Sequence, residues 1–115
     1  MRIDILNHTR DASERLTHFI ESKSAESIER FEDHIDHATV TVRDVNGPRR
    51  GIDVMCQISI NMGSMGTVVV HTTADGVYKS LNHCLEQAAR GIQRRLDRRR
   101  DRRHHNRREL MVVAE

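Results

Sequence analysis

Ile52-Asp53-Val54-Met55-Cys56-Gln57-Ile58-Ser59-Ile60-Asn61 carries an aliphatic residue or cysteine at every second position. In an extended chain successive side chains point to opposite faces, so Ile52, Val54, Cys56, Ile58 and Ile60 share one face. The stretch reads as a half-buried strand of a sheet that packs one face on a core. Everything else in the chain has to fit that frame.

Working outward, Asn46-Gly47-Pro48-Arg49-Arg50-Gly51 precedes the strand and is the strongest turn signal present. Before it, Val40, Val42 and Val45 alternate with Thr39, Thr41 and Arg43, a β-branched strand. After the central strand, Met62-Gly63-Ser64-Met65-Gly66 makes a second turn, and Thr67 to Thr73 forms a further strand through Val68 and Val70. Three sequential strands joined by short turns predict an antiparallel meander.

Towards the N-terminus, Ile3, Ile5 and Asn7 alternate with Asp4, Leu6 and His8, a short opening strand. Ala12, Leu16, Phe19, Ile20, Ile28 and Phe31 then follow a helical period. Asp11 with Glu14 has capping-box spacing and Ser13 is a second cap candidate, so the helix is predicted from near Asp11 to Ser13 until about Asp33. Its centre, Lys23 to Ser27, is poor in apolar residues and predicts looser packing. From Asp75 a second helix places Val77, Leu81, Cys84, Leu85, Ala88, Ile92 and Leu96 on one stripe. The expected fold is α+β, in the order β-α-β-β-β-α, with two helices packed on one face of a four-stranded sheet.

With 115 residues, the chain suits one domain, drawn here as residues 1–103, followed by a flexible tail at 104–115 that is first basic and then apolar through Leu110 to Val113. Only 3% of residues are aromatic, namely Phe19, Phe31 and Tyr78, which argues against stacking RNA bases on aromatic platforms. The sequence offers neither a membrane-length apolar run nor the apolar region of a signal peptide, so it reads as cytoplasmic. Cys56 and Cys84 lack metal-type spacing and read as small core residues.

Charge is the main functional signal. Arg90 to Arg108 holds ten arginines against two acids, Asp97 and Asp101, a formal +8 in a chain whose total is +2, so the remainder carries −6. Guanidinium groups bind phosphates in bidentate fashion, and each neutralised phosphate releases a counterion. On a continuing helix, Arg94, Arg98 and Arg102 form one rail, and Arg95, Arg99 and Arg103 an adjacent one. Lys23, Arg49, Arg50, Lys79 and Arg90 would widen the footprint, and His104 and His105 would strengthen it when protonated below about pH 6.5. A solvated helix balanced by Asp97 and Asp101 is the plainer reading, but two acids cannot balance ten arginines. A divalent-cation site from His34, His37 and Asp33 or Asp36 is conceivable, yet these lie at a helix end where exposed polar residues are ordinary. His71 and His83 read as surface residues. Neither a phosphate-binding glycine loop nor a nucleophile motif at catalytic spacing is present, so the reading is a binding protein with no catalytic residue, metal or cofactor.

Ser13 to Lys23, Asp75 with Tyr78 to Asn82, and Asn46 to Gly51 with Asp53 and Cys56 together resemble the ribosome hibernation factors, the sigma-54 modulation protein family that includes hibernation-promoting factor and ribosome-associated inhibitor A. Ser13-Glu14-Arg15-Leu16-Thr17-His18-Phe19-Ile20-Glu21-Ser22-Lys23 is similar to the family's first helix, with Phe31 and Ile35 near its next aromatic and aliphatic positions. Asp75 with Tyr78-Lys79-Ser80-Leu81-Asn82 is similar to the start of its second helix, where Lys79, Ser80 and Asn82 depart from the usual Ala, Ala and Asp. The turn Asn46 to Gly51, with Asp53 and Cys56, resembles the hairpin of short, single-domain members. Ser24 and Ser27 stand where the family often has leucines. The likeness runs from about Arg2 to Arg103. It implies a factor that wedges between head and body of the small ribosomal subunit, over ribosomal RNA, where messenger and transfer RNA bind, and that lacks the long form's dimerisation domain.

The expected partner is therefore the ribosomal small subunit, with no membrane and no small-molecule substrate. Reversing charge at Arg95 and Arg99 is expected to abolish ribosome association and leave the thermal melt nearly unchanged. The alternatives are a free RNA-binding or RNA-chaperone domain and an adaptor gripping an acidic protein.

Overall fold

The computed structural model describes residues 1–46 and 51–114, with side chains as far as Asp101. Four strands form one sheet in the order β1-β2-β3-β4: β1 Arg2–His8, β2 His37–Asn46, β3 Ile52–Asn61 and β4 Thr67–Ala74. β3 runs antiparallel to both its neighbours, so the expected meander is present. β1 instead lies parallel to β2, a pairing that needs a crossover, and helix α1, Glu14–Ile28, supplies it. Helix α2, Val77–Ala114, follows β4, giving the expected β-α-β-β-β-α order.

Cross-strand rows form the sheet's half of the core. Across β2, β3 and β4, Ala38 pairs with Ile60 and Ile60 with Val68, Val40 with Ile58 and Ile58 with Val70, and Val42 with Cys56 and Cys56 with Thr72. Ala38, Val40, Val42, Cys56, Ile58 and Ile60 are all buried. From the helices, Leu16, Ile20 and Ile28 of α1 and Leu81, Cys84, Leu85, Ala88 and Ile92 of α2 complete the same cluster. Cys56 and Cys84 are free thiols within it, and the Cys84 sulfur donates to the Cys56 carbonyl at 3.4 Å. The adjacent Cys84 sulfur and burial push the Cys56 thiol well above its ordinary range, which suits an inert core residue.

Local chemistry sets the helix ends. The Ser13 hydroxyl accepts from the Leu16 N–H at 3.2 Å and caps α1, while Asp11 braces the cap by accepting from the Ser13 N–H at 3.1 Å. Ala12 is exposed and precedes the helix, so it does not belong to the apolar stripe. After Ile28 the chain tightens into a 3-10 turn, Glu29–His34, which buries Phe31. The serine-rich centre of α1 contributes one residue to the interior and otherwise borders a cleft lined by Lys23, Glu26 and Ser27. Ser24 is completely buried, and its hydroxyl has no hydrogen-bond partner among the described residues.

Gly91 lets α2 lie close on β4. A Cβ there would stand 2.7 Å from Cγ1 of Val68, closer than any side chain tolerates. The stripe predicted from the sequence holds as far as the half-buried Leu96, and from Asp97 to Asp101 every residue is exposed. The backbone of α2 remains one helix to Ala114, across the boundary drawn after Arg103. No helix among the described residues is long and apolar enough to cross a membrane.

Candidate nucleic-acid interface

The close approach at Gly91 shapes a groove of about 460 Å³ between β4 and α2. One wall is the β4 segment Val68 to Val70, and the other is α2, which presents Arg90, Arg94, Arg95 and Arg98. Arg90, Arg94 and Arg98 are spaced four apart, so they line one face of the helix, and all three are exposed. Among the described residues, ion pairs involve only Arg2 with Asp4, Arg10 with Asp44 and Lys79 with Asp75, so the groove arginines are left without carboxylate partners. Asp97, next to Arg98 in sequence, accepts instead from the Gln93 amide at 3.0 Å. A row of unpaired guanidinium groups over a concave, partly apolar floor is suited to holding an anionic backbone.

Arg95 behaves differently from its neighbours. Its two terminal nitrogens donate to the Met65 carbonyl at 2.9 Å and the Thr67 carbonyl at 3.2 Å, tying α2 to the turn between β3 and β4. That turn includes Gly66 at φ 87°, a conformation that favours glycine, and a Cβ at Gly66 would meet the Arg95 guanidinium at 3.0 Å. The expectation that reversal of Arg95 leaves folding untouched therefore needs correction, because this guanidinium satisfies backbone acceptors of the fold. Arg99 is exposed, as is Arg100, which the two-rail spacing passed over.

The remaining expected positions lie apart from the groove. Lys79 is in the first turns of α2 and pairs with Asp75 at 3.8 Å. Lys23 is half-buried and faces a separate cleft between α1 and α2, beside Arg30, Asn82 and Glu86. Arg49 and Arg50 lie outside the described residues, as do the side chains of Arg102, Arg103, His104 and His105. Arg30, to which the sequence assigns no role, shares a shallow depression with Arg90 and stands 4.6 Å over the Phe31 ring. It sits in a 3-10 turn whose course cannot be read from periodicity, so no spacing argument could have brought it towards α2. His34 and His37 are exposed, and no group of three metal-ligating side chains comes together among the described residues. His71 and His83 are on the surface, as expected.

The chain matches a known family. The model of the sigma 54 modulation protein / S30EA ribosomal protein family matches residues 3–104, and the chain belongs to that family. A ribosomal subunit interface protein from Coxiella burnetii has a similar structure, with a TM-score of 0.65 at 14% identity over 82% of this chain and 96% of its own. The N-terminal domain of Protein Y from Thermus thermophilus gives a TM-score of 0.61 at 14% identity, covering 82% of this chain and 98% of that domain. No curated protein sequence matches the chain.

Proposed function

We propose that this chain is a ribosome-associated translation inhibitor of the hibernation type. It binds ribosomal RNA of the small subunit through the arginine face of α2 and blocks the channel used by messenger and transfer RNA. Family membership supports the ribosome as partner, and the similar Coxiella burnetii structure is that of a ribosomal subunit interface protein. The observation that carries the RNA reading is the alignment of Arg90, Arg94 and Arg98 along one groove, without carboxylate partners among the described residues.

The mechanism is occupancy, without a chemical step. Phosphates of a folded RNA replace water around the exposed guanidinium groups, and counterion release drives association. The −6 carried by the rest of the chain repels phosphate groups elsewhere and so favours one orientation on the target. Such a protein acts in the cytosol, where ribosomes are.

Sedimentation of the protein with purified small subunits tests this, with naked duplex RNA and a messenger–transfer RNA complex as competitors. The expected result is saturable binding that the messenger–transfer RNA complex displaces. A preference for naked duplex would make it a free RNA binder, and partners that survive ribonuclease treatment would make it an adaptor for an acidic protein.

A further inference from the structure

Two of the chain's three aromatic residues meet at the surface, at the opposite end of α2 from the arginines. The rings of Phe19 on α1 and Tyr78 in the first turn of α2 have centroids 4.9 Å apart at an interplanar angle of 65°. Phe19 packs against the core, whereas Tyr78 is 62% exposed. The edge-to-face contact holds the Tyr78 ring in place without covering it. Most large apolar groups of this fold are inside, so a fixed, open ring is a feature that packing alone does not explain.

Beside the pair lies a cleft of about 360 Å³, with Leu16 on its wall and Asp11, Ser13 and Arg15 contributing polar groups. The Ser13 side chain and backbone N–H hold the Asp11 carboxyl below the usual carboxylate range, so an anion faces the cleft at neutral pH. A carboxylate repels phosphate and accepts hydrogen bonds only, which suits an N–H edge of a base. Tyr78 offers the stacking surface that a base needs, and Arg15 offers a donor to its acceptor atoms.

We propose that this cleft receives one unpaired nucleobase of the bound RNA, stacked on Tyr78 with its N–H edge towards Asp11. Guanine fits best. Its adjacent ring N–H and amino group can both donate to one carboxylate, whereas uracil flanks its single N–H with two carbonyl acceptors that a carboxylate repels. The low aromatic content argues against aromatic stacking as the binding mode, and this site departs from that expectation at one ring only, beside an electrostatic groove. Tyr78 and Arg98 are separated by about 30 Å along α2 at ~1.5 Å per residue. The site therefore gives the RNA a second, base-reading anchor far from the phosphate groove. It rests on the RNA reading above.

Tyr78 is the sole tyrosine and the chain has no tryptophan, so tyrosine emission reports on this cleft alone. The probe is a short, uridine-rich single-stranded RNA with one central guanosine, labelled for anisotropy and compared with its all-uridine counterpart. Quenching of the emission is expected to follow the anisotropy. Tyr78→Ala should weaken binding about 5- to 150-fold, the range for losing one stacked base, while Tyr78→Phe retains affinity. Asp11→Asn should remove the preference for the guanosine probe. Saturating anisotropy with unchanged emission and an unaffected Tyr78→Ala protein would overturn the base site and leave the arginine groove standing. Quenching that persists while Arg94→Glu with Arg98→Glu costs no affinity would support the cleft and remove the groove. Neither binding nor quenching would overturn the base site, while the groove stands or falls on sedimentation with small subunits.

Discussion

Arg95 and Ser24 show what single residues contribute once the chain is folded. Spacing alone places Arg95 and Arg94 on equivalent rails, but the turn at Met65 to Thr67 presents two carbonyls to Arg95 only. Hydrogen bonds to a charged donor contribute about 1.5–3 kcal/mol when buried, and the half-exposed setting of Arg95 brings this to about 1–2 kcal/mol. Arg95→Ala is therefore expected to lower the melting temperature by about 4–10 °C, measured by circular dichroism. Arg94→Ala, in an exposed position, should leave it within about 2 °C. Ser24 presents the opposite situation, a buried hydroxyl with no partner among the described residues. Ser24→Ala removes an unsatisfied group at almost constant volume, so it should leave stability unchanged or raise it by up to about 1–2 kcal/mol in denaturant unfolding. The sequence marks Ser24 as a gap in the apolar stripe. It cannot show that the serine is buried, because that depends on how α1 is set on the sheet.

At the level of elements, β3 is legible from its own alternation, and the meander follows from the short turns on either side. The parallel pairing of β1 with β2 is not, because strand direction within the sheet is decided by the α1 crossover and not by any pattern inside β1. The course of α2 is legible as far as its apolar stripe runs, to Leu96. Its register against β4 is hidden in Gly91, which in sequence is only a weak helix residue. Alanine is ordinarily better than glycine in a helix by about 1 kcal/mol. Here the new methyl would meet Val68, and overpacking of this kind costs about 1–3 kcal/mol. Gly91→Ala is thus expected to destabilise the protein by up to about 2 kcal/mol and to weaken RNA binding by moving α2 away from β4. Chemical denaturation alongside an RNA-binding titration checks both effects.

For the molecule as a whole, the separation of charge is legible in the amino-acid sequence, and the fold determines where the positive end is concave. A +8 segment on a chain of net +2 gives a protein that is drawn to polyanions by one end. Each phosphate neutralised contributes roughly −0.7 to −0.9 to the slope of log affinity against log salt. Binding should therefore fall steeply with salt, and removing Arg94 or Arg98 singly should make that slope shallower by about one. An acidic protein partner would also be salt-sensitive, but its binding would survive ribonuclease.

The most direct test is sedimentation of the Arg94→Glu, Arg98→Glu double variant with purified small ribosomal subunits at low and physiological salt, together with its thermal melt. Loss of ribosome association at both salt concentrations, with a melt like that of the parent protein, is the predicted result. Full association by a double variant that melts normally would contradict the assignment of the α2 groove as the RNA-binding surface.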